Sequence, residues 1–126
     1  MAALGRLDVV AIDCTDPEPL VAFWCDVLGT TVRSRAADWI ALEPVIPGGP
    51  HLAFQPVPEH KVGKNRLHLD LNVDDIAVAT ARAELLGAAR LGDIVEEDDG
   101  RYQVMADPGG NEFCLVEWDE GSKDRA

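Results

Sequence analysis

Cysteine, positive charge and long apolar runs are all scarce in this chain. The three cysteines, Cys14, Cys25 and Cys114, are odd in number and far apart. That excludes a disulfide framework and a Cys-x-x-Cys zinc site, and leaves reduced thiols as the simplest reading. Lys and Arg number 11 against 23 Asp and Glu, a net charge of −12. Such a balance opposes a phosphate backbone, and no basic stripe compensates for it, so nucleic acid is excluded as a partner. No apolar run is long enough to cross a bilayer, and the first residues lack the apolar region of about 7–15 residues that a secretory signal requires. The expectation is therefore a cytoplasmic protein with no membrane partner. What is present, 126 residues with 47% hydrophobic content, suffices for one domain with a buried core.

The chain reads as one module written twice. Val9-Val-Ala-Ile-Asp-Cys-Thr-Asp16 and a helix-like stretch ending at Gly29 return as His68-Leu-Asp-Leu-Asn-Val-Asp-Asp75 and a stretch ending at Gly87. Further on, Trp39-Ile-Ala-Leu-Glu-Pro44 and His51-Leu-Ala-Phe54 correspond to Gln103-Val-Met-Ala-Asp-Pro108 and Glu112-Phe-Cys-Leu115. The offset between copies drifts by a few residues, as insertions in loops allow. Solenoids need at least about three repeats to bury a core, so two longer units suggest a pseudo-symmetric domain. The division places module one at residues 6–58, a polar connector at 59–65, module two at 66–118 and a tail at 119–126.

Each module reads as a strand, a helix and three strands. Asp16 and Pro17 form an N-cap with proline in the first turn, and Leu20, Phe23 and Val27 follow at helical spacing, with Trp24 and Leu28 beside them. Gly29 stops that helix. The spacing predicts strands over 30–34, 39–43 and 51–57, then 67–73. Asp74 or Asp75 caps a second helix whose buried face is Ile76, Ala79, Ala83 and Leu86. Strands over 89–95, 102–106 and 112–118 complete the set. The acidic run Glu96-Glu-Asp-Asp99 reads as a solvated loop, and Asp107-Pro-Gly-Gly-Asn111 as a turn in which Asn111 bonds to nearby backbone.

Alternation along the strands separates core from wall. Leu67, Leu69 and Leu71 point towards the helix and His68, Asp70 and Asn72 away. The same parity buries Leu52, Phe54, Phe113 and Leu115. It leaves His51, Ala53 and Gln55, then Glu112, Cys114 and Val116, with Val9, Ala11 and Asp13, on a concave face. Candidate ligand contacts are His51, Gln55, His68, Asp70, Glu112 and Cys114, joined by Trp39 and Tyr102, which could stack on a flat ligand or simply pack. Trp118 has the same two readings. Asn65 and Arg66 either contact an anionic ligand or tie down the start of the strand.

The repeated phrases, Lys64-Asn-Arg-Leu-His-Leu-Asp-Leu71 and Ala106-Asp-Pro-Gly-Gly-Asn-Glu-Phe113 together resemble the vicinal oxygen chelate superfamily, the glyoxalase, bleomycin-resistance and extradiol-dioxygenase group, and within it the small glyoxalase-like branch. The resemblance covers residues 6–118. It implies an α+β fold of two βαβββ modules whose mixed sheets curl around a concave cavity, commonly in a homodimer. It also implies a divalent metal on four side chains, one each from the first and last strands of the two modules. Carried over, those positions are Val9, Ala53, His68 and Cys114.

Valine and alanine donate nothing to a metal, so two ligands remain where a stable site takes three or four. No metal or other cofactor is therefore the favoured expectation. The alternative is a divalent ion (Zn, Fe, Mn or Ni) on a shifted set of His51, His68 and Glu112, although a two-residue step moves a ligand by about 6–7 Å along the strand. His68 is the catalytic candidate, either a general base or an imidazole satisfied by Asp70 or backbone. Cys114 is a nucleophile if His68 activates it, and otherwise an inert buried thiol; no third, orienting residue is assignable from sequence. Three functions follow. The first is a small-molecule binder that sequesters a drug or binds a metabolite, with a cationic or aromatic ligand. The second is a glyoxalase, lyase, isomerase or dioxygenase on a shifted metal site. The third is metal-free acid–base catalysis by His68 with Asp70 or Cys114.

Overall fold

The computed structural model describes residues 2–121; the end of the expected tail lies outside them. Among the described residues, nine strands and two helices follow one another as βαβββ, then βα and four strands. The chain divides into two compact units, the first ending at His60 and the second beginning at Lys61.

In the first unit, β1 (Val9–Cys14), β2 (Val32–Ala36), β3 (Trp39–Leu42) and β4 (His51–Pro56) form a mixed sheet in the order β1-β4-β3-β2. β1 runs parallel to β4, and the other pairs are antiparallel. The first helix, α1 (Pro17–Leu28), begins where the side chain of Asp16 accepts the Glu18 N–H, and ends on Gly29 at φ 66, which a side chain would disfavour. Leu20, Val21, Phe23 and Trp24 are buried, with Val27 and Leu28 half-buried. The Phe23 and Trp24 rings meet edge to face at 5.2 Å.

The second unit repeats the plan. The strands β5 (Leu69–Asn72), β9 (Glu112–Trp118), β8 (Gly100–Ala106) and β6 (Ala89–Arg90) are ordered β5-β9-β8-β6, and β7 (Val95–Glu97) also pairs with β8. β5 is parallel to β9 as β1 is to β4, so Val10 opposite Leu52 corresponds to Leu69 opposite Phe113. Each sheet is open; among the described residues neither closes into a barrel. The second helix, α2 (Ile76–Leu85), is capped by Asp75, which accepts the Val78 N–H. Glu117 of β9 accepts the Ile76 N–H at 2.8 Å and so fastens the helix start to the sheet. No described helix is long and apolar enough to cross a membrane.

Several sequence expectations change. The helix α2 buries Ile76, Thr80 and Ala83, while Leu86 is exposed; Leu86 already lies past the last helical turn. Leu67 is also exposed, because β5 begins only at Leu69. Ala53, placed on a wet face, is fully buried in the central strand between β1 and β3. The single strand expected over 89–95 is two, interrupted where Gly92 takes φ 83. Glu96 and Glu97 belong to β7 and not to a loop, since the two-residue turn Asp98-Asp99 folds β7 back onto β8 and sets Glu96 opposite Arg101. In the 107–111 turn the organiser is Asp107, one of whose oxygens accepts from the Gly109 and Asn111 backbone N–H groups, both at 2.9 Å. The Asn111 side chain donates to it as well.

Candidate functional site

Within the second unit, alternation gives the sheet two unlike faces. Gln103, Met105, Phe113 and Leu115 are buried, on the parity that faces α2. Tyr102 and Val104 of β8, with Glu112, Cys114, Val116 and Trp118 of β9, take the opposite parity and line a concavity of about 380 Å³. His68, which immediately precedes β5, and Asp70 contribute the third wall.

His68 and Asp70 lie two residues apart on one strand line, so both point to the same side. Their side chains meet, Nδ1 to Oδ1, at 2.7 Å, and each is about half exposed. This contact steers the other ring nitrogen elsewhere and favours one tautomer. Across the parallel ladder Asp70 is the Cα partner of Cys114. As a result one ligand atom from each of His68, Asp70 and Cys114 lies within 4.8 Å of the others. Burial, then the nearby Asp70 carboxylate, pushes the Cys114 thiol above its ordinary value, with Lys64 opposing. The resting group is a thiol and not a ready thiolate.

Glu112 stands at the rim. It accepts the Asn65 N–H at 2.9 Å and pairs with Lys61 at 3.4 Å. The backbone hydrogen bond, more than the lysine, holds its carboxyl below the usual value. Arg101 closes the far end, pairing with Glu96, Glu117 and Asp119. The hydrogen bonds to Glu96 and Asp119 raise its pKa, so the guanidinium stays charged among its carboxylate partners.

The second unit thus gathers His68, Asp70, Tyr102, Glu112 and Cys114. Trp39, His51 and Gln55 lie in β3 and β4 of the first unit, with Gln55 exposed and the other two half-buried. The three-donor group contains neither His51 nor Glu112, and the Glu112 carboxylate is engaged by Asn65 and Lys61. Arg66, a candidate anion contact, is exposed and does not line the concavity, whereas Asn65 does. Five lining residues escaped sequence reasoning: Val104, Gly100, Lys64, Glu97 and Arg101. The signal for the last two was the hairpin through Asp98-Asp99, hidden in what looked like an acidic loop.

The sequence matches the family described as Glyoxalase-like domain over residues 9–116. The chain belongs to that family. With it comes membership of the vicinal oxygen chelate superfamily. A glyoxalase/bleomycin resistance protein/dioxygenase family enzyme from Burkholderia phytofirmans PsJN is similar to this glyoxalase-like domain at 19% identity and TM-score 0.77, over 91% of this chain and 100% of that one. A glyoxalase/bleomycin resistance protein/dioxygenase from Nocardioides matches at 18% identity and TM-score 0.75, over 96% of this chain and 88% of its own. Fosfomycin resistance protein FosX from Mesorhizobium loti matches at 16% identity and TM-score 0.70, over 99% of this chain and 100% of its own. At these identities the likeness is one of fold. No curated protein matches the chain.

The metal implied by the superfamily does not fit the four positions expected to hold it. Val9 and Ala53 carry only carbon, and Ala53 is fully buried. The internal symmetry sharpens the point, because the parallel registers align Ala11 opposite Ala53 with Asp70 opposite Cys114. Polar chemistry at this register survives in the second module only.

Proposed function

We propose that this glyoxalase-like domain is a small-molecule-binding protein whose site is the concavity of module two. The observation that carries the reading is the lining: the Val104, Val116, Tyr102 and Trp118 walls face the hydrogen-bonded His68–Asp70 pair across about 380 Å³. That volume and that mixture suit a drug-sized ligand with a flat apolar body and one polar end. Asp70 and Glu97 favour a cationic or hydrogen-donating end, while Glu112 and Arg101 are already paired. Sequestering a drug or binding a metabolite would both use such a site. Three cysteines, an odd number, fit a reducing compartment such as the cytoplasm.

A thermal-shift screen of flat aromatic cations and 2-oxo compounds tests the reading. A ligand at a hundredfold excess over its Kd stabilises the folded state by about 2.7 kcal/mol, several degrees in Tm. That shift should vanish in Tyr102→Ala and His68→Ala and persist in Asp26→Asn. A hit unaffected by both site variants would refute the assignment.

The His68–Asp70 contact favours a second reading, acid–base catalysis with His68 as the base and Asp70 as its positioning residue. We also propose a homodimer, since β1 and β5 each have a single ladder partner and open edges invite pairing. Light scattering should then return twice the 13.6 kDa chain mass, and the monomer mass would reject it.

A further inference from the structure

We propose that Glu97 is the charge-selecting residue of the concavity, and that the polar end of the ligand is an alkylated ammonium group held between Glu97 and Trp118. This rests on the binding reading above and adds to it the place of the cation, its chemical class and the residue that selects it.

The carboxylates that line the concavity are Asp70, Glu97 and Glu112, and two of them are already occupied. Asp70 meets His68 at 2.7 Å, and Glu112 takes the Asn65 N–H and Lys61. The Glu97 carboxylate has no hydrogen-bond or ion-pair partner among the described residues. Arg101, the cationic side chain lining this end, is turned to Glu96, Glu117 and Asp119. Three carboxylates already surround that one guanidinium, so Glu97 is left to face the concavity uncompensated.

Register decides what Glu97 faces. Its Cα partner across the β7–β8 ladder is Gly100, and the partner of Gly100 across β8–β9 is Trp118. Adjacent strands lie about 4.8 Å apart, so the carboxylate and the indole rise from backbones roughly 10 Å apart. Only a glycine stands between them, and it brings no side chain. The result is a slot with negative charge on one side and an aromatic ring on the other, with Tyr102 two residues along β8 as a further wall. The His68–Asp70 pair cannot serve the same group. Cys114, the partner of Asp70, lies four residues before Trp118 on β9, about 13 Å along the strand.

The wall chemistry selects the class of cation. One exposed carboxylate is a single ligand, too few to hold an inorganic ion. Beside aromatic side chains it suits an organic cation, which the carboxylate and the negative ring faces both attract. Alkylation strengthens the preference. A primary ammonium is a compact, strongly hydrated charge, whereas a trimethylammonium group presents its methyl carbons to the rings. A flat apolar body joined to that group then lies along Val116 and Val104, which line the stretch between the slot and Asp70.

The experiment uses the full chain and three probes of one shape, a 2-naphthyloxyethyl body ending in trimethylammonium, in primary ammonium, or in a neutral tert-butyl group. Calorimetric titration should rank them in that order, with the trimethylammonium probe binding about tenfold tighter than the neutral one. Glu97→Gln should cut that ratio to about twofold or less while the neutral probe binds as before. Trp118→Leu should weaken the trimethylammonium probe by about threefold or more. Asp98→Asn removes the same charge from the next residue, which does not line the concavity, and should leave the ratio unchanged. Circular dichroism verifies that each variant is folded. A ratio that survives Glu97→Gln, an equal loss in Asp98→Asn, a primary ammonium that outranks the alkylated one, or no binding of any probe at millimolar concentration would overturn the inference. Equal binding of all three probes, lost in Tyr102→Ala, would overturn it alone and leave the binding proposal standing.

Discussion

Replacing Glu112 tests how the rim of the concavity is held. The carboxylate fastens the connector, which carries Lys64 and Asn65 into the site, to the first residue of β9. It does so through the Asn65 N–H at 2.9 Å and the Lys61 ammonium at 3.4 Å. A hydrogen bond to a charged group contributes about 1.5–3 kcal/mol net. A partly exposed lysine pair adds roughly 0.2–1 kcal/mol. Glu112→Ala should therefore cost about 2–4 kcal/mol at pH 7. Glu112→Gln, which keeps an acceptor for Asn65 but loses the charge, should cost about half of that. Because the folded-state pKa lies below the unfolded one, the contribution is complete above the ordinary carboxylate value of about 4.3 and disappears as pH falls through the lowered folded value. Urea unfolding followed by tryptophan fluorescence, at pH 7 and then down to pH 3, measures this. The gap between wild type and Glu112→Ala should narrow on acidification. A gap under about 0.5 kcal/mol at pH 7, or one independent of pH, would refute the reasoning.

Two further outcomes follow from the same sheet. In a Cys25→Ser background Cys114 should react slowly with a disulfide reagent at pH 7–8. Its rate should climb about tenfold per pH unit through and beyond pH 9, because burial and Asp70 raise its pKa; a plateau near neutrality would contradict this. Gly100→Ala should cost about 1–3 kcal/mol or more in urea unfolding. An added Cβ would sit 2.2 Å from the Glu117 carbonyl oxygen, which belongs to the backbone and cannot swing aside. Unchanged stability would mean that β8 and β9 are less closely paired there than described.

The twofold plan was legible because each copy spells out its own strand, cap and glycine stop. Asp16 with Gly29 bounds α1, and Asp75 begins α2. Period-two alternation likewise separated Phe113 and Leu115 from Glu112, Cys114 and Val116. What alternation cannot supply is register. That Asp70 sits opposite Cys114, which turns a lone histidine and a lone thiol into a three-membered group, is a property of the β5–β9 pairing. Nor does composition reveal that an acidic run continues a sheet. Glu96 and Glu97 were hidden because their partner Arg101 becomes a neighbour only after the turn forms. The buried Gln103, whose amide nitrogen donates to Gly92 and Val104 carbonyls at 3.0 Å, was likewise invisible to a hydrophobic pattern.

The central claim is that recognition is concentrated in module two, and the footprint of the first stabilising compound tests it most directly. In backbone amide NMR spectra, titration should shift the signals of His68, Asp70, Tyr102, Cys114 and Val116, all within the second unit. A saturating compound that moves chiefly β1 to β4, leaving those signals in place, would contradict it.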